Sequence, residues 1–345
     1  MRIILSFAVL CILLNACNHK KPIEHPPFSA QQELDRGEVA VIYGKIINLH
    51  VYPHINEVTL KLADFSMKGE LHVSPIDSFG EFKFEIYPIV HREFYLTPIE
   101  DRLMIAPGDT LYIEHDFSDF NNTHFSGTSA VLNREIAQFR NGYLGRYNFD
   151  YELSYISYKD KIDKQLQNNF EKLTALQKEH NTSELFNNWA EKQLRLDYYN
   201  ALIEFPFQHF IRTKEEFSDN ESYNILLTEL ENTIDDKMIL FSYFRLMENY
   251  SMMKLIGYTP INLNNNMNLT ESESIDLLSS VSHNDFFSQF AVASLLSVGL
   301  KADVTEVIDE NEVQINKIMT NHFLRTVLQS EYNRVKGTIS NSKIL

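Results

Sequence analysis

Cysteine is nearly absent from this chain of 345 residues: there are two, Cys11 and Cys17, and none follows. Residues 18 to 345 therefore hold no disulfide, no Cys-x-x-Cys redox pair, no thiolate nucleophile and no cysteine-based metal site. Basic clusters are also missing. The formal net charge is −16, a sign that repels nucleic-acid phosphates and speaks against nucleic acid as a partner. Catalytic signatures are absent from the string as well: there is no Gly-x-Ser-x-Gly elbow, no Walker loop and no dinucleotide-binding glycine fingerprint. The apolar run at the start, Ile3 to Leu14, is well short of the ~20 residues needed to cross a bilayer core. Apolar residues are nevertheless plentiful, at 44% with 24 Phe and 17 Tyr. That is ample for buried cores, and the length suggests two domains.

The two cysteines sit in a recognisable setting. Met1 and Arg2 form a short basic start, the apolar run follows, and small or polar residues appear at Asn15 and Ala16, which is the layout of a secretory signal. Leu14-Asn15-Ala16-Cys17 resembles the bacterial lipobox, in which cleavage before the cysteine makes it residue one and its sulfur carries lipid. This predicts a signal peptide over 1–16 and lipid attachment at Cys17. Two or more acyl chains anchor stably, because each buried methylene contributes about 0.8 kcal/mol. The membrane is then a partner through the lipid alone. Residues 17–38, with Pro, Lys and His and no apolar periodicity up to Ser29, read as a flexible tether. No acidic run follows Cys17, so the expected position is the cell envelope, facing the periplasm.

Between Val39 and Phe125 the pattern is one of short β-type runs. VAVIYGKIINL, EVTLKLADF, ELHVSPI, EFKFEIYPI, EFYLTPI and RLMIAPGDTLYIEHDF follow one another, with turn residues between them. In EFKFEIYPI, Phe82, Phe84 and Ile86 alternate with Lys83, Glu85 and Tyr87, the period of a half-buried strand. Asp77-Ser78-Phe79-Gly80 supplies the turn before it. After Gly127 the period becomes helical. Ser129 is the expected N-cap of a helix presenting Leu132, Ile136, Phe139 and Tyr143. Ile162, Leu166, Phe170, Leu173 and Leu176 mark a second helix, and Ser183 opens a third that ends before Pro206. An apolar run from Met238 through Lys254 predicts another, stopped by Gly257 and Pro260, with an Asn-rich loop over Asn262 to Asn268. Thr270-Glu-Ser-Glu273 reads as a capping box and Asn284 as a cap for FFSQFAVASLL. Thr320 is expected to begin the last helix and Gly337 to end it. The fold class expected is α+β: an N-terminal antiparallel β-sandwich over 39–127, an all-α helical domain over 128–337 and a tail over 338–345.

Several of these segments together resemble a known arrangement. Tyr43-Gly44-Lys45-Ile46, Val58-Thr59-Leu60, Asp77-Ser78-Phe79-Gly80-Glu81-Phe82-Lys83-Phe84, Ala106-Pro107-Gly108-Asp109-Thr110-Leu111-Tyr112-Ile113, Phe125-Ser126-Gly127 and Leu132-Asn133 are similar to the N-terminal part of Bacteroidetes envelope lipoproteins of the TlpA-like thiol-disulfide oxidoreductase family. The resemblance implies a β-sandwich, then helices, then a thioredoxin domain whose Cys-x-x-Cys performs thiol exchange. Here Glu331 to Leu345 resembles the exit from the helices, and a thioredoxin domain is not expected, since residues 18–345 hold no cysteine to serve one. The family's disulfide chemistry is therefore not expected of this chain.

Other chemistries find little support. His50 and His54 form the nearest histidine pair, but no third ligand accompanies them. Glu114-His115-Asp116-Phe-Ser-Asp119 gathers acidic groups, yet strand alternation separates His115 from its neighbours and the central glycine of a calcium loop is missing. Asp109 reads as a turn residue. Trp189, beside Leu185 and Phe186, reads as helix packing, and the triplet Asn249-Tyr-Ser251 means little if the source is bacterial. No catalytic, cofactor-binding or metal residue is assigned, and no cofactor is expected. The expected function is a non-catalytic, lipid-anchored envelope protein acting as a binding or scaffolding module, its binding surface placed where helices meet sandwich. Its expected partner is another envelope protein. The alternative is the substrate-recognition or accessory half of a split thiol-disulfide system, with a separate thioredoxin-fold protein as partner; a carboxylate-based hydrolase ranks third.

Overall fold

The computed structural model describes residues 37–65, 71–142, 149–215, 217, 220–231, 234–256 and 269–342. The signal segment, Cys17, the tether up to residue 36, Tyr143, Gly257, Pro260 and the Asn-rich loop lie outside the described residues.

The α+β class forms as expected, strands first and helices after. Strands β1 (Ala40–Ile47), β2 (Glu57–Leu62), β3 (Leu71–Pro75), β4 (Glu81–Ile86), β5 (His91–Thr97), β6 (Glu100–Ile105), β7 (Thr110–Asp116) and β8 (Asp119–Ser126) come first. They make two sheets, one ordered β4-β1-β7-β8 and the other β3-β2-β5-β6. Alternation decides which face is buried. Phe82, Phe84 and Ile86 of β4 and Leu111 and Ile113 of β7 turn inward onto Ile42, Leu60, Phe94 and Leu103. Lys83 and Glu85 turn outward. Most pairings are antiparallel, but β1 runs parallel to β7, with Tyr43 opposite Tyr112.

Turn chemistry fixes the register. Asp77 Oδ1 accepts from the amides of Phe79 and Glu81, both at 2.8 Å, and Gly80 takes φ 84°. A Cβ there would meet the Ile46 carbonyl oxygen at 2.2 Å, so only glycine fits. Asp109 behaves as a turn residue. Its Oδ2 accepts from the Ala106 amide at 3.0 Å and its Oδ1 from the Thr128 hydroxyl at 2.8 Å, which ties the start of β7 to the start of the helices.

Helices α1 (Ala130–Gly142), α2 (Tyr155–His180), α3 (Glu184–Ile203), α4 (Phe205–Thr213), α5 (Asn220–Glu231), α6 (Phe241–Ile256), α7 (Glu271–Ser279), α8 (Asp285–Lys301), α9 (Glu306–Glu310), α10 (Glu312–Ile318) and α11 (His322–Ser342) follow. Ser183, Thr270 and Asn284 cap α3, α7 and α8, and Thr270 and Glu273 complete the capping box. From Phe286 to Ser294 helix α8 is buried all round, with Phe287, Phe290, Ala291 and Val292 inside, as expected of a segment apolar around its circumference, and Val298 near its end is exposed. Trp189 is buried edge-on to Phe139.

Several boundaries differ from the sequence expectation. Ser129 precedes α1 as expected, but its hydroxyl reaches the Thr110 carbonyl at 3.3 Å and not an amide of its own helix. The helix opened by Ser183 ends at Ile203, before Pro206 as expected, but a further helix follows at once and Pro206 stands in the first turn of α4, where a missing N–H costs no hydrogen bond. Met238 and Ile239 form a short strand, β9, and α6 begins only at Phe241. The last helix starts at His322 and its cap is Asn321, not Thr320: Asn321 Oδ1 accepts from the Leu324 amide at 3.1 Å, while Gln289 Oε1 of α8 accepts from the Thr320 and Asn321 amides that lead into the helix, at 2.9 and 2.7 Å. Gly337 lies inside α11, where nothing stands within 4 Å of its missing Cβ, and the helix runs on to Ser342. Among the described residues no helix is long and apolar enough to cross a membrane.

Candidate functional site

The residues with the most perturbed chemistry lie where the helices meet the sandwich. β9 pairs in parallel with the start of β5, placing Met238 beside His91 and Ile239 beside Arg92. The segment after it packs directly on the sheet. Phe241 stacks on Tyr95 with ring centroids 4.2 Å apart, and its amide donates to Glu93 Oε2 at 2.8 Å. Glu93 has no exposed surface. Around it stand Arg102, hydrogen-bonded to the Tyr95 hydroxyl, and Asp197 of α3, which accepts from Gln193 Nε2 at 2.7 Å and Ser242 Oγ at 3.2 Å.

Burial pushes the Glu93 carboxyl above its ordinary range, against the pull of Arg102. Asp197 is raised for the same reason and against the same cation. Burial alone would lower Arg102, but the carboxylates of Glu93 and Asp197 outweigh it and hold the guanidinium firmly charged. On the neighbouring position Arg92 donates from Nε to the Ala63 carbonyl at 2.6 Å and lies over the Phe323 ring of α11 at 5.7 Å. Apolar side chains seal the same joint, since Phe65 of the sandwich lies 5.0 Å from Phe244 and 5.1 Å from Phe290, edge to face. A carboxyl with no exposed surface cannot meet a substrate from solution. The chemistry of this cluster is that of a joint holding two layers together.

A concave surface lies elsewhere, on the outer face of the β4-β1-β7-β8 sheet. The pairing registers lay its side chains out in rows across the strands. The central row is Lys83, Tyr43, Tyr112 and Ser126. On one side runs Glu81, Lys45, Glu114 and His124, and on the other Glu85, Val41 and Thr110. The two tyrosine rings are 5.3 Å apart at 55°, and Tyr43 is 42% exposed. A cleft of about 640 Å³ opens over Val41, Tyr43, Lys45, Lys83 and Tyr112 and continues past β4 to Ser74, Pro75 and Asp77. Ser74 closes that side, its hydroxyl accepting from the Lys83 amide at 3.1 Å.

Charge on this face is largely matched. Lys83 Nζ pairs with Glu85 at 2.6 Å, and the Tyr112 hydroxyl donates to Glu114 at 3.3 Å. Partial burial and then the Glu114 carboxylate raise the Tyr112 phenol, which stays neutral. Lys45 and Glu81 face each other across the strand pair.

The remaining residues singled out from sequence fall into structural places. His50 and His54 are exposed in the turn after β1, His54 beside the Tyr52 ring at 6.3 Å. His115 points inward, away from Glu114 and Asp116, as alternation requires, and its Nδ1 is 2.8 Å from Thr123 Oγ1. Burial lowers its pKa. Among the described residues no three metal-ligating side chains converge. Asn249 Nδ2 donates to Glu204 and Ser251 Oγ to the Ala291 carbonyl, so both serve packing. Sequence reading passed over Tyr43 and Tyr112 as functional residues. The alternation of Val41-Tyr43-Lys45 and Thr110-Tyr112-Glu114 was the signal that both face solvent, but only the parallel register of β1 with β7 brings them together. Comparison with family models, curated proteins and solved structures finds no match.

Proposed function

We propose that the protein is a non-catalytic binding module, held to the cell envelope by lipid on Cys17, and that the outer face of the β4-β1-β7-β8 sheet is its binding surface. The observation that carries the reading is the cleft of about 640 Å³ with Tyr43 and Tyr112 adjacent at its floor, a volume within the range of ordinary ligand sites. The carboxyls with raised pKa lie away from this face, and Glu93 is sealed in the joint with the helices, which supports binding over hydrolysis. The order of sandwich and then helices fits the N-terminal part of TlpA-like lipoproteins, and the absence of cysteine after Cys17 argues against thiol exchange by these residues themselves. Anchoring is tested by growing cells with radiolabelled palmitate and fractionating the envelope. The label and the envelope location are expected in the wild type and lost from Cys17→Ser; equal fractionation of both without label would refute the anchor.

A further inference from the structure

Strands β1 and β7 are interior to their sheet, so their backbone groups are taken up by neighbours on both sides. A peptide therefore cannot add there as an extra strand. Whatever lies on Tyr43 and Tyr112 is held there through side chains, along a row that crosses the strands. Strands about 4.8 Å apart make the row from β4 to β8 about 14 Å long, longer than a single sugar ring or amino acid. At its centre lie two phenol rings, surfaces that attract weakly polarised C–H groups. Of the charged groups beside them, Lys83 pairs with Glu85, Glu114 accepts from the Tyr112 hydroxyl, and Lys45 and Glu81 lie opposite each other with offsetting charge. A strongly ionic ligand would have to break those pairs, whereas a ligand rich in neutral hydroxyls needs only groups that donate and accept at the rim, which Lys45, Glu81 and Ser126 supply.

We infer that this row binds a neutral oligosaccharide chain, laid across β1 and β7 with the C–H faces of its sugar rings on Tyr43 and Tyr112 and its hydroxyls on Lys45, Glu81 and Ser126. The inference rests on the reading of this face as the binding surface, and names the ligand class.

The test uses the full mature chain carrying Cys17→Ser, with cellohexaose, maltohexaose, laminarihexaose and chitohexaose as probes. Saturation-transfer NMR is expected to reach the ring protons of at least one of them, and calorimetry to give its affinity. Combined Tyr43→Ala and Tyr112→Ala should weaken that affinity about tenfold or more while the circular dichroism stays that of the wild type. Phenylalanine at both positions should hold it within about threefold, because the ring face is kept. Raising salt to about 0.5 M should leave it unchanged, since no net charge is exchanged. Silence from all four probes at about 5 mM, equal binding by the alanine variant, or binding confined to a heparin or chitosan hexasaccharide and lost in salt would overturn the inference. If the probes are silent but an envelope protein is captured only when both tyrosines are present, the saccharide is wrong and the binding surface stands.

Discussion

Arg102→Met removes the cation that faces Glu93 and Asp197 in the joint between sandwich and helices, and leaves two carboxyls there whose pKa values burial has already raised. Breaking such a group by deleting one partner costs about 3–5 kcal/mol when the remaining charge is fully buried. Arg102 is only partly buried, and Arg140 and Arg245 also act on these carboxyls, so about 3 kcal/mol at pH 7.5 is the expected loss. The pH dependence has a definite sign. A carboxyl whose pKa is raised on folding holds, in the native state, a proton that the unfolded chain has released above about pH 4. Its contribution is therefore complete below that pH and is lost as pH rises through the native value. The variant's deficit should shrink to about 1 kcal/mol at pH 5, where protonation relieves the unpaired charge. Urea unfolding at pH 5, 6, 7 and 8 measures this, with far-UV circular dichroism for the whole chain and the fluorescence of the single tryptophan, Trp189, for the helical core. A deficit that is the same at pH 5 and pH 8, or a variant as stable as the wild type at pH 7.5, would refute the assignment of a charged joint.

Other consequences follow from single side chains. Asn133 is fully buried and clamps α1 to β6, accepting from the Met104 amide at 2.7 Å and donating to the Met104 carbonyl at 2.9 Å. Asn133→Ala strands both backbone groups and should lower stability by about 2–4 kcal/mol, read from the urea midpoint. Gln289→Ala removes the acceptor shared by the Thr320 and Asn321 amides; a loss of about 1–2 kcal/mol is expected, with faster hydrogen exchange at the start of α11.

Alternation carried most of the sandwich. Phe82, Phe84 and Ile86 were legible as an inward face because a strand repeats every two residues, and the same rule sent His115 inside, away from the acidic groups beside it. Caps at Ser183, Thr270 and Asn284 were legible because a short polar side chain before an apolar stripe has one local use. What escaped the sequence was set by distant partners. Met238 and Ile239 look like the first turn of a helix, yet the start of β5 left backbone groups open beside His91 and Arg92, and pairing there outweighed helical propensity. Gln289 could not be read as the acceptor for the Thr320 and Asn321 amides that lead into α11, nor Glu93 as the partner of Phe241. The candidate site escaped for a similar reason. Tyr43 and Tyr112 are each ordinary outward residues of a strand, and their meeting depends on a parallel register between strands far apart in the chain. The expectation of a ligand site where helices meet sandwich met instead the filled joint around Glu93, Tyr95 and Phe241, where ring stacking and buried hydrogen bonds occupy the space.

The central claim is that the exposed tyrosine face is the working surface of an anchored binding module. It is tested most directly by purifying the intact protein from detergent-solubilised cells of its own organism, beside the variant with Tyr43→Ala and Tyr112→Ala, and comparing by mass spectrometry what each carries. The account predicts a component, saccharide or protein, that accompanies the wild type and is lost from the variant at equal yield of folded protein. Identical companions on both would contradict it, and a thioredoxin-fold protein bound equally to both in near-stoichiometric amount would favour the accessory half of a split thiol-disulfide system.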